Sequence, residues 1–579
     1  MKLIDALEIL KQPVPNEAPK MQVYLACGFT PLHLQTFLAA QLRIRLPQRQ
    51  VGINTGLFGD LTGNIERVEP SGVNALVVVI EWADLDPRLG IRRLGGWRPS
   101  NLPDIVQSAE QAAARLQQVL LKISRLVPTV VCMPTLPLPP LFWTPPDRAA
   151  SLELHLHQTV SSLAASLSEQ PAIHIANAQI LGEVSPPSQR FDLKSDVITG
   201  FPYSLPHAST LAGVLAGLVD NQPRKKGLIT DLDDTLWAGI LGEDGVNGIS
   251  WHQERHTHMH GLYQQFAASL AGAGVLIGVA SKNDPALVEQ AFGRSDLLIS
   301  RSDIFPFEAH WSPKSESVRR ILDTWNVGAD SVVFIDDSPM ELAEVKAAFP
   351  ELECILFPKS DYQGIWDLLK GLRGFFGKPL LTEDDSLRLS SIRNASAWRD
   401  STQGSVSSSD DFLRAAEASL SFSLAREDGD ARAFELVNKT NQFNLNGKRW
   451  SESEWLKFFT DPATFLLAVS YEDKYGPLGK IAVLMGESND RKIRVHAWVM
   501  SCRAFSRRVE HQCLRYLFED LGADTIVFDY QPTSRNGPLQ EFFTALLGGP
   551  PVEQVCLSHE LFLKNTPPLF HRITKAVHA

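Results

Sequence analysis

A short apolar run that ends in clustered carboxylates constrains this chain more than any other feature. Residues Gly227 to Thr230 are typical of a buried strand, and Asp231 and Asp233 follow immediately. A lone Asp-x-Asp is more often an acidic turn between a strand and a helix. Clustered like charge is costly to desolvate, however, and it is usually explained by a divalent cation, by chemistry on an electrophile, or by both. The loops that follow along the chain favour this second interpretation.

Two further apolar runs end in polar residues in the same way. Val275 to Ala280 leads into the sequence SKND at 281–284, and Val332 to Ile335 leads into DDSP at 336–339. Lys314 lies between them, just before an amphipathic helical segment. Strands separated by helices predict an open parallel sheet, and ligands of such sheets bind in the crevice at the carboxyl ends of the strands. We therefore expect the polar loops to meet at that edge.

The motifs DLDDT, ASKND and FIDDSP, with the intervening lysine, resemble the haloacid dehalogenase superfamily of phosphoryl-transfer enzymes. More narrowly, DLDDTLWAGILGEDG resembles the FkbH-like branch. The usual motif of that branch is DLDNTLWGG, so Asp234 and Ala238 depart from it. The resemblance implies a phosphatase that uses Mg²⁺ as its cofactor.

The resemblance also implies a role for each polar loop. Asp231 would be the nucleophile that forms an aspartyl-phosphate, and Asp233 the general acid and then base. Lys314 would be catalytic through its charge, which matches that of the transition state. The remaining implied roles are Mg²⁺ ligation by Asp231, the carbonyl of Asp233, Asp336 and Asp337, and phosphate binding by Ser281, Lys282 and Asn283.

A chain of 579 residues is too long for one hydrophobic core, so several domains are expected. We predict a multi-domain α/β protein with a central Rossmannoid parallel sheet at residues 223–377. Residues 1–222 resemble an SGNH-hydrolase-like α/β domain. Residues 378–579 resemble a mixed α+β N-acetyltransferase-like domain, in which NKTNQFNL, WVMSCR and YQPTSRN are similar to the end of FkbH-like proteins.

The first domain lacks the residues that an SGNH hydrolase would use. Its first turn reads Cys27-Gly28-Phe29-Thr30 where a Gly-Asp-Ser turn is expected, and His207 has no clear acidic partner in the sequence. A docking or scaffold role is therefore expected rather than catalysis.

Cys502 is a candidate nucleophile in the last domain. It lies where a strand gives way to a helix, beside Arg503 and close to Arg507 and Arg508. Basic neighbours and a helix start lower the pKa of a thiol, whereas a buried strand-end cysteine would be inert, and both interpretations stay open. The resemblance implies that Cys502 carries a thioester and that Arg503 contacts the substrate. Cys27 is a second candidate for the thiol.

Three histidines, His252, His256 and His260, recur at every fourth position. A helix would place all three on one face, where they could bind zinc. No cysteine or carboxylate completes a ligand set there, so we favour a solvated helix start.

FkbH-like proteins convert 1,3-bisphosphoglycerate to a glyceryl thioester on the phosphopantetheine of an acyl carrier protein for polyketide biosynthesis. The resemblance implies that function here, with an acyl phosphate substrate and an arginine patch facing the carrier. A plain Mg²⁺-dependent phosphatase and a scaffold protein remain alternatives. A net charge of −11 argues against nucleic-acid binding as the main function. Six cysteines suggest a reducing cytoplasm. No apolar run is long enough to predict a membrane span.

Overall fold

The computed structural model describes most of the chain. The residues that it does not describe are 15–17, 221–223, 379–380, 382–384, 386, 394–395, 397–409, 411–412, 415, 426–429, 441, 475, 502–503, 506, 534, 553 and 576–579. The chain divides into two compact units. Unit 1 comprises Met1–Gln222 with Trp450–Asp461, and unit 2 comprises Pro223–Arg449 with Pro462–Ala579. The division into three domains stays a prediction.

Unit 1 is built on a five-stranded parallel sheet. Its strands are β1 (Lys20–Cys27), β2 (Gln50–Thr55), β3 (Ala75–Val79), β4 (Thr129–Cys132) and β5 (Ile173–Ile175). Their spatial order is β2-β1-β3-β4-β5, a doubly wound arrangement with buried cores on both faces. The helices of this unit are Leu3–Lys11, Leu32–Arg45, Leu61–Glu66, Trp82–Leu85, Leu102–Ile123, Ser151–Ser168, Ala178–Val184, Leu193–Thr199, Leu205–Val219 and Glu452–Phe458. The expected α/β class is confirmed here, and the SGNH-like identity stays a prediction.

The first sheet of unit 2 is also parallel and five-stranded. Its strands are β6 (Gly227–Thr230), β7 (Leu276–Ser281), β8 (Ile304–Ala309), β9 (Val332–Asp336) and β10 (Glu353–Leu356). They are ordered β10-β9-β6-β7-β8, so the three strands expected from the sequence occupy the centre and the two edge strands were not anticipated. The helices around this sheet are Leu241–Asp244, His258–Gly272, Pro285–Phe292, Lys314–Trp325, Pro339–Ala348 and Tyr362–Phe376.

The second sheet of unit 2 is mixed. Its strands are β11 (Ser419–Ala425), β12 (Phe443–Asn444), β13 (Thr464–Asp473), β14 (Gly476–Asn489), β15 (Lys492–Met500), β16 (Thr525–Phe528), β17 (Val555–Ser558) and β18 (Arg572–Lys575). β13, β14 and β15 pair antiparallel, whereas β16 joins β15 in parallel. The helices that accompany it are Ala431–Lys439, Val509–Glu519, Gly537–Leu547 and His559–Asn565. An N-acetyltransferase-like fold stays a prediction.

Local sequence explains where the helix that carries Lys314 begins and ends. Val318, Ile321, Leu322 and Trp325 recur with helical spacing and are buried against the first sheet of unit 2. Asn326 ends the helix in the left-handed conformation, with φ of 52°. The amphipathic helix expected after Lys314 is therefore present.

The helical placement of the three histidines is wrong. His252 and His256 flank a short 3₁₀ turn, and His256 has a left-handed φ of 57°. The helix begins only at His258, so it includes His260 but neither of the other two. His260 is buried, and its Nδ1 lies 3.0 Å from the carbonyl oxygen of Thr235. Of the helices in the described part of the chain, none combines the length and apolarity needed to cross a bilayer.

Candidate active site

The polar loops of unit 2 meet where the winding of its parallel sheet reverses. From β6 the chain moves outward through β7 to β8 and then returns to β9 on the other side of β6. The crevice between the carboxyl ends of β6 and β9 is therefore the topological switch point, where open sheets bind ligands. The backbone N–H of Asp231 donates to the carbonyl of Ile335 at 3.0 Å, which holds the two acidic loops side by side.

Asp231, Asp336 and Asp337 form a cluster that could hold a cation. One oxygen from each carboxylate lies within 4.8 Å of the others. Asp231 is 5% exposed and Asp336 is 0% exposed, and Asp231 Oδ1 has no hydrogen-bond partner among the described residues. Three carboxylates around a buried, unpartnered oxygen form the hard donor set that suits Mg²⁺. The residues present therefore meet the chemical requirements of that ion.

Lys314 lies between the two buried carboxylates. Its Nζ is 3.0 Å from Asp231 Oδ2 and 2.5 Å from Asp336 Oδ2, and its side chain is itself buried. Lys314 is the first residue of its helix, and the packing of that helix directs the side chain into the crevice. The ammonium group of Lys314 therefore forms ion pairs with two carboxylates.

The charge in this cluster is unbalanced, and the pKa values reflect it. Burial raises the pKa of Asp231 to about 7, and the charge of Asp336 adds to this while Lys314 opposes it. Burial likewise raises the pKa of Asp336 against the effect of Lys314. Burial lowers the pKa of Lys314, but the two carboxylates outweigh it and raise that pKa overall. The site therefore has a deficit of positive charge that a divalent cation would correct.

Asp233 lies close by with both carboxylate oxygens engaged. Oδ1 accepts from the Trp237 indole at 2.9 Å and from the Leu241 backbone at 3.1 Å. Oδ2 accepts from Asn283 Nδ2 at 2.9 Å, and the same amide donates to Ser281 Oγ at 3.3 Å. The loop after β7 therefore holds the Asp233 carboxylate in place through Asn283, and the predicted phosphate-binding role of Asn283 stays a prediction.

Among the residues predicted for the phosphatase centre, Lys282 lies apart from the carboxylate cluster. Among the described residues, Lys282 Nζ pairs with Glu341 at 2.7 Å on the helix Pro339–Ala348 and with none of the three carboxylates of the cluster. Its side chain is 37% exposed. A phosphate-binding role for Lys282 would require this ion pair to open, and that role stays a prediction.

Lys359 neutralises Asp234, and no pattern in the sequence predicts this pair. Lys359 follows β10, a strand that was not anticipated, and its Nζ lies 2.7 Å from Asp234 Oδ2 and 2.9 Å from Asp337 Oδ2. Hydrogen bonds to these two acids raise the pKa of Lys359, which keeps it charged. The aspartate that departs from the FkbH-like motif thus has a cationic partner, which also holds Asp337.

The residues predicted for acyl transfer lie largely beyond the described part of the chain. Cys502 and Arg503 are among the residues that the structure does not describe. Arg507 is 3% exposed and lies beside Asp473, and Arg508 pairs with Asp410. The prediction that Arg507 belongs to an arginine patch facing a carrier protein is wrong, because that side chain is buried, and the patch at Arg503 and Arg508 stays a prediction.

The polar residues around His207 in unit 1 form a buried network. His207 is fully buried, with Nε2 at 3.1 Å from Thr135 Oγ1 and Nδ1 at 2.9 Å from Ser185 Oγ. Burial and the nearby Arg190 lower the pKa of His207 to about 3. Glu81 accepts from Thr135 and Tyr203 within the same network. His207 is therefore a packed, neutral histidine.

Cys27 is also packed in unit 1. Its thiol is buried at the end of β1 and donates to the carbonyl of Phe29. Burial and the charge of Asp84 raise the pKa of Cys27 well above its ordinary value. A thiol that stays protonated is a poor nucleophile, so the second-candidate role predicted for Cys27 is not supported.

The strand order and the acids at its switch point define a Rossmann-like α/β domain with a ligand crevice at its carboxyl edge. No protein-family model matches the chain, and no curated protein matches it. A solved structure described as the N-terminal part of the protein BF1531 from Bacteroides fragilis, containing a phosphatase domain complexed with Mg, is similar with a TM-score of 0.53. It is 19% identical and aligns over 66% of this chain and 100% of its own, which shows a shared fold.

A second solved structure, a glucosamine N-acetyltransferase region in a fungal multi-domain β-N-acetylglucosaminidase, aligns with a TM-score of 0.16. The identity is 11%, over 94% of this chain and 66% of that chain. A likeness this low carries no argument about the fold of residues 378–579.

Proposed function

We propose that the carboxylate crevice of unit 2 is a Mg²⁺-dependent phosphatase centre of the haloacid dehalogenase type. The observation that carries the proposal is the convergence of Asp231, Asp336, Asp337 and Lys314 at the switch point, with Asp231 Oδ1 left unpartnered. The Mg described for the solved structure of shared fold supports the choice of ion. Asp231, Asp336 and Asp337 would hold it.

The side chains of the crevice supply the groups that phosphoryl transfer needs. A carboxylate oxygen of Asp231 attacks phosphorus, and the bond from phosphorus to the leaving oxygen breaks as Asp233 donates its proton to that oxygen. Asp233 then takes a proton from water, which attacks the aspartyl-phosphate and releases phosphate. Lys314 neutralises the phosphoryl oxygens, and bound Mg²⁺ would offset the charge shared by the carboxylates and the phosphoryl group.

Hydrolysis of p-nitrophenyl phosphate by the full chain tests this proposal. We expect activity that depends on Mg²⁺ and is lost in Asp231→Asn, because the amide cannot form the covalent intermediate. Asp323→Asn is the matched control, since this exposed residue lies on the helix Lys314–Trp325, away from the crevice. Activity retained by Asp231→Asn would overturn the proposal and would favour a scaffold role.

We extend the proposal to an acyl phosphate substrate and a carrier protein. The support is the sequence resemblance of DLDDTLWAGILGEDG and of NKTNQFNL, WVMSCR and YQPTSRN to FkbH-like proteins. In this extension the Cys502 thiolate displaces phosphate from the acyl phosphate of 1,3-bisphosphoglycerate and forms a thioester. The Asp231 centre hydrolyses the remaining phosphate ester, and the glyceryl group passes by thioester exchange to the phosphopantetheine thiol.

Intact-protein mass spectrometry separates this extension from a plain phosphatase. The chain is incubated with 1,3-bisphosphoglycerate and a phosphopantetheinylated carrier protein. We expect a glyceryl adduct on the carrier and an acyl adduct on the enzyme that is absent in Cys502→Ala. Cys556→Ala is the control, because Cys556 is an exposed cysteine on β17. An unmodified carrier, with phosphatase activity intact in Cys502→Ala, would select the plain phosphatase.

A further inference from the structure

Asp337 is the most exposed of the three clustered carboxylates and the least constrained by its surroundings. Its side chain is 17% exposed, against 7% for Asp231 and 0% for Asp336. Asp336 is further held through Oδ1, which accepts from the Ser338 backbone N–H at 2.9 Å. Among the described residues, the one side chain that bonds to the Asp337 carboxylate is Lys359, with Nζ at 2.9 Å from Oδ2. The orientation of this carboxylate therefore depends on Lys359.

The loop that carries Lys359 is fixed on both sides of that residue. Before it, the Phe357 backbone N–H donates to the carbonyl of Asp336 at 2.8 Å, and the Phe357 ring is buried. After it, the Asp361 carboxylate caps the helix Tyr362–Phe376. The backbone at Lys359 is thus attached both to the end of β9 and to the start of a helix, which gives its ammonium a defined position.

Asp234 holds the same ammonium from the loop that follows β6. Its Oδ2 lies 2.7 Å from Lys359 Nζ, and its Oδ1 accepts from the Gly239 N–H at 2.9 Å. The Asp234 N–H also donates to the Gly239 carbonyl at 3.2 Å, which closes the turn. The φ of Asp234 is 51°, a left-handed conformation that aspartate and asparagine adopt more readily than most residues. The turn therefore fixes the carboxylate that anchors Lys359.

The pair of Lys359 and Asp234 adds no net charge beside the cluster. An ammonium next to a ligand carboxylate would by itself repel a divalent cation, but the Asp234 carboxylate offsets that charge. Lys359 is also 45% exposed, so solvent weakens the repulsion further. What remains is the directional hydrogen bond to Asp337. Loss of a partner that orients a metal ligand typically weakens metal binding by about 10- to 100-fold.

We propose that Lys359 is a positioning residue of the metal centre, which presents the Asp337 carboxylate to the divalent cation while Asp234 holds the lysine in place. This inference rests on the proposed phosphatase function and adds to it a residue that acts through Asp337. Its role differs from that of Lys314, which pairs with Asp231 and Asp336 inside the buried crevice. Loss of Lys359 therefore weakens cation binding and leaves the nucleophile in place.

Binding of Mn²⁺ to the full chain, measured without substrate, tests the proposal. The electron paramagnetic resonance signal of free Mn²⁺ gives its dissociation constant, and competition with Mg²⁺ gives that of Mg²⁺. We expect roughly tenfold weaker binding in Lys359→Met, because Asp337 loses its partner. Lys370→Met is the matched control and should bind like the parent. Lys370 is 43% exposed and pairs with Asp367 within the helix Tyr362–Phe376.

The sign of the change separates positioning from simple charge balance. If Lys359 only offset negative charge, its removal would tighten Mn²⁺ binding, and that result would overturn the proposal. Equal affinities of the parent and Lys359→Met would overturn it as well, while the phosphatase proposal would stand. The absence of Mn²⁺ binding by the parent would overturn the metal centre and this inference together.

Asp234→Asn tests the anchor. Asparagine keeps the left-handed turn but leaves the ammonium without its counter-charge, so we expect weaker Mn²⁺ binding than in the parent. The double variant with Lys359→Met should bind no more weakly than Lys359→Met alone, because the two residues act through one contact. Losses that add in the double variant would refute this coupling. Lys359→Arg retains a cation and should bind Mn²⁺ more tightly than Lys359→Met.

The phosphatase assay separates this role from substrate binding. Lys359→Met should raise the Mg²⁺ concentration that gives half the maximal rate by roughly tenfold. At saturating Mg²⁺, its KM for the phosphate ester should equal that of the parent. A change confined to KM would assign Lys359 to the substrate and would overturn the positioning role.

Discussion

The metal-free chain should lose stability as the pH rises through neutrality, and Mg²⁺ should restore it. The perturbation is removal of divalent cations with a chelator at a series of pH values. Asp231 has a pKa of about 7 in the folded protein, against an ordinary value of 3.8. Because the folded pKa is raised, its contribution to stability is complete below about pH 4 and is lost as the pH rises through 7.

The size of the effect follows from these two values. A difference of about three pKa units at 1.36 kcal/mol each corresponds to roughly 4 kcal/mol of lost free energy of unfolding above pH 7. Mg²⁺ requires ionised carboxylates as ligands, so it should stabilise the protein strongly at pH 8 and hardly at pH 4.5. Asp231→Asn lacks the buried charge and should be more stable than the parent at pH 8 without metal.

Urea denaturation followed by tryptophan fluorescence measures the change in the free energy of unfolding. Trp237 and Trp325 are buried in the same unit as Asp231 and report on its unfolding. The midpoint of the transition that responds to Mg²⁺ is compared at pH 4.5 and pH 8 for the parent and for Asp231→Asn. The matched control is Asp323→Asn, which should follow the parent at both pH values. A Mg²⁺ effect of equal size at both pH values, or one that survives in Asp231→Asn, would refute the reasoning.

Three further predictions concern single side chains. Lys314→Met should lower kcat for phosphate-ester hydrolysis by roughly a hundredfold or more, because it removes the ammonium beside Asp231 and Asp336, and Lys346→Met on a neighbouring helix should not. Asn283→Ala should lower kcat by roughly tenfold or more and leave KM nearly unchanged, since the amide orients Asp233; a change confined to KM would assign Asn283 to substrate binding instead. His207 has a folded pKa of about 3 against 6.5, so the stability it contributes is lost as the pH falls below 6.5. Acid should therefore destabilise unit 1, and His207→Gln should reduce that pH dependence in denaturation experiments while phosphatase activity persists.

The sequence could predict the site residues that lie at the ends of strands. Asp231, Asp336 and Ser281 each lie where an apolar run stops, and parallel strands necessarily bring such ends to one edge. Lys314 could be placed because the helix that follows it has clear apolar spacing. These inferences depend on local patterns and on the chirality of strand–helix–strand connections, both of which can be read without coordinates.

Contacts between distant segments could not be predicted in this way. Lys359 is 125 residues from Asp234, and it follows an edge strand with too short an apolar run to stand out. The histidines at 252, 256 and 260 were wrongly predicted to share one face of a helix. Their regular spacing has no structural meaning, because a turn interrupts the helix.

The carboxyl edge of the parallel sheet in unit 2 requires added positive charge. At the carboxyl ends, Asp231, Asp336 and Asp337 outnumber the cations that contact them. Buried charge of one sign is costly, so this edge is stabilised by a ligand of the opposite sign. A divalent cation bound there would relieve the imbalance among these carboxylates, and it should therefore raise the stability of unit 2.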